Sequence, residues 1–528
     1  MAGRRAIWLT RWGLLAATLG VLVLLNLLAG GWFLRLDLTA DKEFTPSQGT
    51  VELLASLDDD LVVRGYFSAN LPAPYNRARQ VLKDLLDEYR ALSHGHLRYE
   101  FIDPAELDDD PERAMALVGI PMVQVTDVSS DKMQVVNGFM GAVVLYEDKQ
   151  EIVPVIQDGG GLEFALTAKI RKLTGHGRKQ VGLLQGFGAP DLDALSQMVP
   201  LLGEQYVVQA VDLEAGDPLP DGLDVLLING PTAPLSPWAL ARIDGFLAGG
   251  GGVAVLSGGV DAELATQHAQ DLPELFDGLL EKWGVTIARD LVADANNVRI
   301  TVAQRRGIFT LQNMVEYPYI PLLHQLSRDN PVVAGLEGMF TPFVSSLRVN
   351  PVEGITHTPL AESSGASWRV TAPYDINPLM LFAADRLPPS AKGPHVVALA
   401  AQGAFPSVYA GRQVTGPDGA TQAVAAPAPA PGRLLVVGSG LLLSDAYLLN
   451  GENAPLLLNA IDWLARDEGL IGLRSRGVTD RPLAKVSDAA REGIKTLNIL
   501  GGALLLIVTG LVRWRLRQAR RRRLAGMV

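Results

Sequence analysis

Several residues that could bind a ligand come directly after strands that the sequence predicts between residues 180 and 438. In open sheets of parallel strands, ligands bind beyond the carboxyl ends of the strands. We therefore predict a ligand pocket at the loops 185–191, 230–236 and 257–261. Its candidate residues, including one in a later Gly-Ser-Gly turn, are Gln185, Gly186, Gly188, Asp191, Asn229, Ser257 and Ser439.

Serine at the end of a strand, as in Ser257-Gly258-Gly259, raises the question of nucleophilic catalysis. A nucleophilic serine requires a base within hydrogen-bond reach and a third group that orients the base. The nearest histidine in the sequence, His268, is better explained as an exposed helix residue, and the chain contains no Cys. We predict that the chain is not an enzyme. A membrane-tethered hydrolase using Ser257 or Ser439 is the least favoured alternative.

Motifs for metals, phosphates and cofactors are weak in this sequence. His94-Gly95-His96 offers two imidazoles, but no third zinc ligand is visible. The acidic runs 58–60 and 108–110 lack the spacing of a calcium loop, and Gly249–Gly252 suits a helix cap followed by a turn. The chain has no Gly-x-x-x-x-Gly-Lys-Ser/Thr loop for ATP phosphates. We predict no cofactor and no metal site.

Two α/β regions must position the candidate residues. In residues 36–160, strands alternate with an amphipathic helix at about 75–93, a βαβ pattern that suggests a thioredoxin-like layer. In residues 161–483, strands alternate with helices, among them one that ends at Leu202 and one at Pro237–Ala248, which indicates a doubly wound parallel sheet. The proline-rich segment 289–432 is predicted as an insertion, and its Ala-Pro repeats at 416–432 predict an exposed loop.

Apolar segments flank these regions at Gly13–Leu34 and Thr496–Trp514. Each is long enough to cross a hydrocarbon core of about 30 Å. Arginines lie on the outer side of both segments, and such an excess marks the cytoplasmic side. We therefore predict two membrane helices, within 1–35 and 484–528, both termini in the cytoplasm and a periplasmic ectodomain. A cleaved signal peptide for the first segment and a buried core helix are the alternatives.

Charge is distributed unevenly along the chain. All 57 Asp and Glu residues lie between the two apolar segments, so the predicted ectodomain is acidic. Nucleic-acid binding depends on neutralising phosphates, and we predict no nucleic-acid partner. The basic C-terminal tail is expected to contact anionic membrane lipid or a cytoplasmic partner. The lack of Cys excludes thiol catalysis and Cys-ligated zinc but leaves the compartment open.

Four separated stretches of the chain resemble auxiliary subunits of ABC transporters in the gliding-motility (GldG-like) family. They are Leu36–Lys42, Val81–Tyr89, Tyr99–Pro104 and Asn453–Leu464. The resemblance covers nearly the whole predicted ectodomain and both anchors. It implies that an ABC permease and an ATPase are partners in the bacterial inner membrane, and that the ATPase subunit hydrolyses ATP.

One turn departs from the family pattern. Members commonly carry Gly-His-Gly-Glu after the first strand of the second region, whereas this chain has Gly186-Phe187-Gly188-Ala189. The second region also resembles the class I glutamine-amidotransferase-like fold, whose nucleophile is a Cys. Because this chain lacks both the Cys and the imidazole of that turn, we expect the fold to be retained without the catalysis.

Small and polar residues in the apolar segments are candidates for packing against the permease. An asparagine in lipid is costly unless it is paired, and small residues let helices approach closely. The candidates are Asn26, Gly501, Gly502 and Gly510. We thus expect a non-ATPase auxiliary subunit whose ectodomain binds or relays a substrate or an envelope partner. The alternative is a scaffold that recruits another envelope protein without binding a small ligand.

Overall fold

The computed structural model describes residues 45–73, 75–107, 110–129, 132–157, 161–175, 178–306, 309–378, 392–467, 471, 495 and 508–518. The chain divides into two compact units, Met1–Val478 and Thr479–Val528. In the second unit, residues 508–518 form an exposed helix that contains Gly510. The candidates Asn26, Gly501 and Gly502 and most of both predicted spans lie outside the described residues. Within the part that is described, no helix combines the length and the apolarity needed to cross a bilayer.

A four-stranded sheet forms the first region of the first unit. The elements in chain order are α1 (Gln48–Ala55), β1 (Leu61–Phe67), α2 (Ala78–Leu92), β2 (Leu97–Ile102), α3 (Pro111–Val118), β3 (Val123–Ser129), β4 (Lys132–Gly138), β5 (Met140–Tyr146), β6 (Lys149–Val153) and α4 (Leu162–Thr174). The sheet order is β2-β1-β5-β6, with β1 parallel to β2 and the other pairs antiparallel. β3 and β4 form a separate hairpin.

Local signals explain the helices of this region. In α2, Leu82, Leu86 and Tyr89 recur at helical spacing and are buried against the sheet. α3 begins after Asp110, whose carboxylate accepts a hydrogen bond from the Arg113 N–H at 3.1 Å. It ends at Gly119, where a φ of 86° suits glycine. The predicted helix at about 75–93 thus matches α2.

The second region is built on one sheet of eight strands. Its elements in chain order are β7 (Gln180–Gln185), α5 (Met198–Gly203), β8 (Val207–Asp212), β9 (Val225–Asn229), α6 (Pro237–Ala248), β10 (Gly252–Leu256), β11 (Val260–Glu263), β12 (His268–Asp271), α7 (Leu279–Lys282), β13 (Val285–Ile287), β14 (Leu291–Asp294), β15 (Asn297–Arg306), β16 (Phe309–Leu323), β17 (Gln325–Leu326), β18 (Met339–Phe340), β19 (Leu347–Val349), β20 (Ile355–Glu362), β21 (Ser367–Val370), β22 (Val396–Gly403), β23 (Gln413–Thr415), β24 (Thr421–Ala423), β25 (Gly432–Val437) and α8 (Asn453–Leu464).

This sheet has the order β17-β20-β22-β25-β10-β9-β7-β8. The strands from β25 to β8 are parallel, and β22, β20 and β17 continue the sheet in antiparallel pairing. Both faces are covered, since Val253 and Val255 of β10 pack in the core with α6, and Ala254 and Leu256 pack in the core with α8. Burial on both faces explains why the parallel strands are continuous apolar runs.

The α/β class is confirmed. The predicted parallel sheet is present from β25 to β8, but the complete sheet is mixed because β22, β20 and β17 pair in antiparallel fashion. Strands β17, β20 and β22 come from the segment 289–432, which was predicted as an insertion, so part of that segment completes the sheet. Antiparallel strands need no crossover helix, and the segment therefore lacks the strand–helix alternation on which the prediction depended.

Candidate functional site

The turn after β7 holds three consecutive residues in the left-handed region. The φ angles of Gly186, Phe187 and Gly188 are 80°, 53° and 71°. The Phe187 N–H donates to the Glu214 carboxylate at 2.7 Å, and the Phe187 carbonyl accepts from the N–H groups of Thr232 and Ala233 at 3.0 and 2.8 Å. The turn is therefore fixed to the chain segments that follow β8 and β9.

Phe187 occupies the position of the imidazole that the family resemblance implies. Its side chain is 4% exposed and lies in the apolar core that covers the α6 face of the sheet. The turn thus serves packing at this position and offers no titratable side chain there. A carboxylate is nevertheless present, because Glu214 reaches the turn from beyond β8. Sequence analysis missed Glu214. The only sequence signal near it is Asp212, whose carboxylate caps a turn by accepting a hydrogen bond from the Glu214 N–H at 3.0 Å.

Asn229, Ser257 and Ser439 lie at the ends of the neighbouring strands β9, β10 and β25, as predicted. The two serines are each 1% exposed. The Ser439 hydroxyl donates to the Pro342 carbonyl at 2.5 Å, and the Ser257 hydroxyl lies 3.4 Å from the Gly258 carbonyl. Both hydroxyls therefore face backbone oxygens rather than a base.

His268 was predicted on a helix, and that prediction is wrong. It lies on strand β12, where it pairs with Glu263 and is exposed.

The other candidates are dispersed. The Gln185 amide donates to the neighbouring Leu184 carbonyl at 3.1 Å, and Asp191 is an exposed residue that precedes a short 3-10 helix. The turn at His94-Gly95 has φ angles of 52° and 97°, and the described residues contain no group of three or more side chains placed to hold a metal ion.

A buried segment at residues 341–346 covers the carboxyl ends of β10 and β25. The Ser345 N–H donates to the Gly438 carbonyl at 2.7 Å, and the Ser345 hydroxyl accepts from the Gly259 N–H at 2.9 Å. Gly230 and Gly440 meet so closely that a Cβ on Gly230 would lie 2.8 Å from the Gly440 carbonyl oxygen. The edge at which a pocket was predicted is therefore tightly packed in this structure.

Two features of this edge are still available to a ligand. A cavity of about 50 Å³ lies beside Ser257 and is also lined by Phe276 and Arg289. Since one water needs roughly 10–15 Å³, the cavity has room for a few waters. The Asn229 side chain is 5% exposed, and neither of its amide atoms has a hydrogen-bond partner. A buried amide of this kind usually binds a water or a ligand atom.

More than half of the chain matches a known family. The family described as an ABC-type uncharacterized transport system matches residues 178–464, which contain every candidate residue of the predicted pocket. The chain belongs to this family. An auxiliary role in ABC transport is thereby confirmed, while the gliding-motility branch stays a prediction. Residues 40–145 match a domain of unknown function, DUF7088.

Relatives of the chain include an uncharacterized protein of Borreliella burgdorferi. It is 23% identical over 500 residues, which cover 91% of this chain and 93% of the relative. Among solved structures, the mmIFT52 N-terminal domain is 13% identical with a TM-score of 0.33, covering 58% of this chain and all of that chain. The exo-beta-1,4-mannosidase Op5Man5 from Opitutaceae bacterium strain TAV5 is 10% identical with a TM-score of 0.21, covering 83% of this chain and 56% of that chain.

Helix α4 connects the two α/β regions through a charge network of Lys169, Lys172, Glu151 and Glu204. Lys169 lies 3.1 Å from Glu151 and 2.7 Å from Glu204, and Lys172 lies 2.9 and 3.3 Å from the same carboxylates. The hydrogen bond from Lys169 holds the pKa of Glu204 below its ordinary value, although desolvation opposes this. Glu151 belongs to β6 and Glu204 follows α5, so the network connects the two sheets.

Proposed function

We propose that this chain is the non-ATPase auxiliary subunit of an ABC transporter complex, whose extracytoplasmic body binds or relays a substrate or an envelope partner. The family match over residues 178–464 supports this most. The lack of a phosphate loop supports dependence on a separate ATPase subunit. The arginine-rich outer flanks of both apolar segments support two anchors in the bacterial inner membrane, with both termini in the cytoplasm and the body in the periplasm.

The finer fold assignments belong to this proposal. A parallel pair β1–β2 joined through α2, followed by antiparallel β5 and β6, supports a thioredoxin-like first region. Parallel strands covered on both faces support a glutamine-amidotransferase-like second region. The absence of Cys from the sequence and the burial of Phe187 support a fold that is used for binding rather than turnover.

The proposed mechanism is mechanical. ATP-driven rearrangement of the permease would shift the two anchors relative to each other. Because both anchors lead into the same ectodomain, their relative motion would act on the contact between its two regions. The charge network on α4 lies at that contact, and ion pairs between partly exposed groups are weak enough to break and re-form.

A scaffold that recruits an envelope protein without a small ligand is the second candidate. The packed carboxyl edge of β9, β10 and β25 favours it, since the cavity of about 50 Å³ there is too small for a metabolite. A co-structure distinguishes the two candidates: a small molecule seated beside Asn229 supports ligand binding, and a flat protein contact supports the scaffold.

Affinity purification of the full-length chain from detergent is expected to recover an ABC permease and an ATPase. Asn26→Leu or Gly502→Leu is expected to weaken recovery of the permease, because each removes a group suited to close helix contact. Leu24→Ile is the matched control and is expected to leave recovery unchanged. If a fragment of residues 37–490 captures the permease as well as the full-length chain does, the ectodomain is the docking element and the proposed helix contact is wrong.

Protease accessibility tests the proposed topology. Tags at Met1 and Val528 are expected to stay protected in intact cells, whereas a site in the segment 416–432 is expected to be cut once the outer barrier is permeabilised. The segment is suited to this because most residues from 424 to 431 are exposed. Cleavage at either terminus before cleavage in this segment would contradict the topology.

A further inference from the structure

A cavity of about 330 Å³ lies at the amino ends of the parallel strands, where β25 begins and β22 ends. Its walls include three glycines and Pro431, so much of the lining is backbone. Four polar side chains complete the lining: Thr356, Gln402, Arg433 and Arg466. We call it the arginine cavity. It is separate from the strand ends that sequence analysis singled out.

Sheet register places three of these side chains in one row. Thr356 on β20 pairs with Gln402 on β22, and Gln402 pairs with Arg433 on β25. Partners in register on adjacent strands extend to the same face of a sheet. Arg433 stacks over the Trp463 ring of α8 at 5.1 Å, so the row lies on the α8 face. A hydroxyl, an amide and a guanidinium therefore follow one another across three strands.

The second arginine is supplied by the end of α8. Arg466 follows the helix with a φ of 57°, and its guanidinium donates to the Pro431 carbonyl at the cavity wall. Arg433 is held as well, since its guanidinium donates to the Trp463 carbonyl at 2.5 Å. Both cations are thus positioned by backbone groups before any ligand binds, which reduces the entropy lost on binding.

The described side chains that line the arginine cavity are cationic or neutral. None of the described residues that line it is an Asp or a Glu. Partial burial lowers the pKa of Arg466, and the nearby charge of Arg433 lowers it further, so the two guanidiniums repel each other. The carbonyl end of α8 attracts a cation and helps to hold Arg466. This attraction does not account for the row of Thr356, Gln402 and Arg433, which offers further hydrogen-bond donors to the arginine cavity.

We propose that the arginine cavity binds the phosphate group of an anionic ligand through Arg433 and Arg466, with Thr356 and Gln402 donating further hydrogen bonds. Two guanidiniums match a phosphate monoester, which carries nearly two negative charges and several acceptor oxygens. The cavity is larger than a phosphate ion needs, and a phosphorylated solute or a phospholipid headgroup would fill it. The proposal does not depend on the transporter role.

Calorimetric titration of the purified full-length chain tests the site with two probes, inorganic phosphate and soluble short-chain phosphatidic acid. Binding of both probes is expected for a phosphorylated solute, and binding of the lipid alone assigns the site to a headgroup. Arg466→Gln is expected to weaken binding about tenfold or more, because it removes a charge-assisted hydrogen bond. Since Arg466 is exposed, the variant is expected to keep the parent's melting temperature.

Arg412→Gln is the matched control, because Arg412 also stacks over an aromatic ring, that of Tyr409 at 5.4 Å, but lies outside the cavity. It is expected to bind like the parent. Equal losses in both variants would overturn the proposal, as would a lack of binding of either probe at millimolar concentration. Preference for a dicarboxylate over both phosphate probes would also overturn it.

Discussion

Replacing Asp244 by Ala is expected to lower the free energy of unfolding by about 3 kcal/mol or more. Asp244 lies on α6 and is 0% exposed. Its carboxylate accepts from the Ser407 hydroxyl at 2.7 Å and from the N–H groups of Val408 and Tyr409 at 3.0 and 2.9 Å. The substitution leaves these donors without their acceptor in a buried place, and each costs about 1–3 kcal/mol when it is unsatisfied.

Urea unfolding of the full-length chain, followed by tryptophan fluorescence, measures this effect. Asp221→Ala is the matched control, because Asp221 is exposed and its loss is expected to change the free energy by less than about 0.5 kcal/mol. Asp244→Asn is expected to fall between the two, since the amide keeps one acceptor oxygen. A loss below about 1 kcal/mol for Asp244→Ala would show that water replaces the carboxylate.

Phe187→Ala is expected to lower the free energy of unfolding by about 3–4 kcal/mol. The substitution removes a buried ring from the core while keeping a side chain at a φ of 53°. Phe187→Gly removes the same ring but tolerates that φ better, so it is expected to be the less destabilising of the two by up to about 1 kcal/mol.

Urea unfolding also measures the effect of the Phe187 substitutions. Leu117→Ala is the control for loss of an apolar side chain. Leu117 is 83% exposed, so its truncation is expected to have little effect. If Phe187→Ala proves as mild as the Leu117 variant, the ring does not hold the turn. The position would then be free to carry the imidazole that the family resemblance implies.

Elements with strong local signals were predicted well. The helix 237–248 matches α6 because Ser236 caps its start, accepting from the Ala239 N–H at 3.2 Å, and Pro237 suits the first turn. The helix that was expected to end at Leu202 is shorter than predicted, because the α-helix begins only at Met198. Just before this start, the Ser196 hydroxyl and the Gln197 N–H both donate to Asp445, a distant partner that the sequence does not reveal.

The candidate site was predictable only in its placement. Asn229, Ser257 and Ser439 end adjacent strands, and strand alternation was enough to place them at one edge. The covering segment 341–346 was not predictable, because its contacts with Gly438 and Gly259 depend on long-range packing. The same limit applies to Arg433 and Arg466, which meet only because strand register and the end of α8 bring them to one cavity.

The position of β25 has a consequence for how the protein is made. β25 lies between β10 and β22 in the large sheet, yet it is the last of the described strands to leave the ribosome. Until residues 432–437 are synthesised, β10 and β22 each keep an unpaired edge, and such edges pair readily with other chains. At about 5–20 residues per second, this vulnerable interval lasts many seconds. A ribosome that stops before Gly432 therefore releases a chain with two open edges, for which aggregation competes with folding.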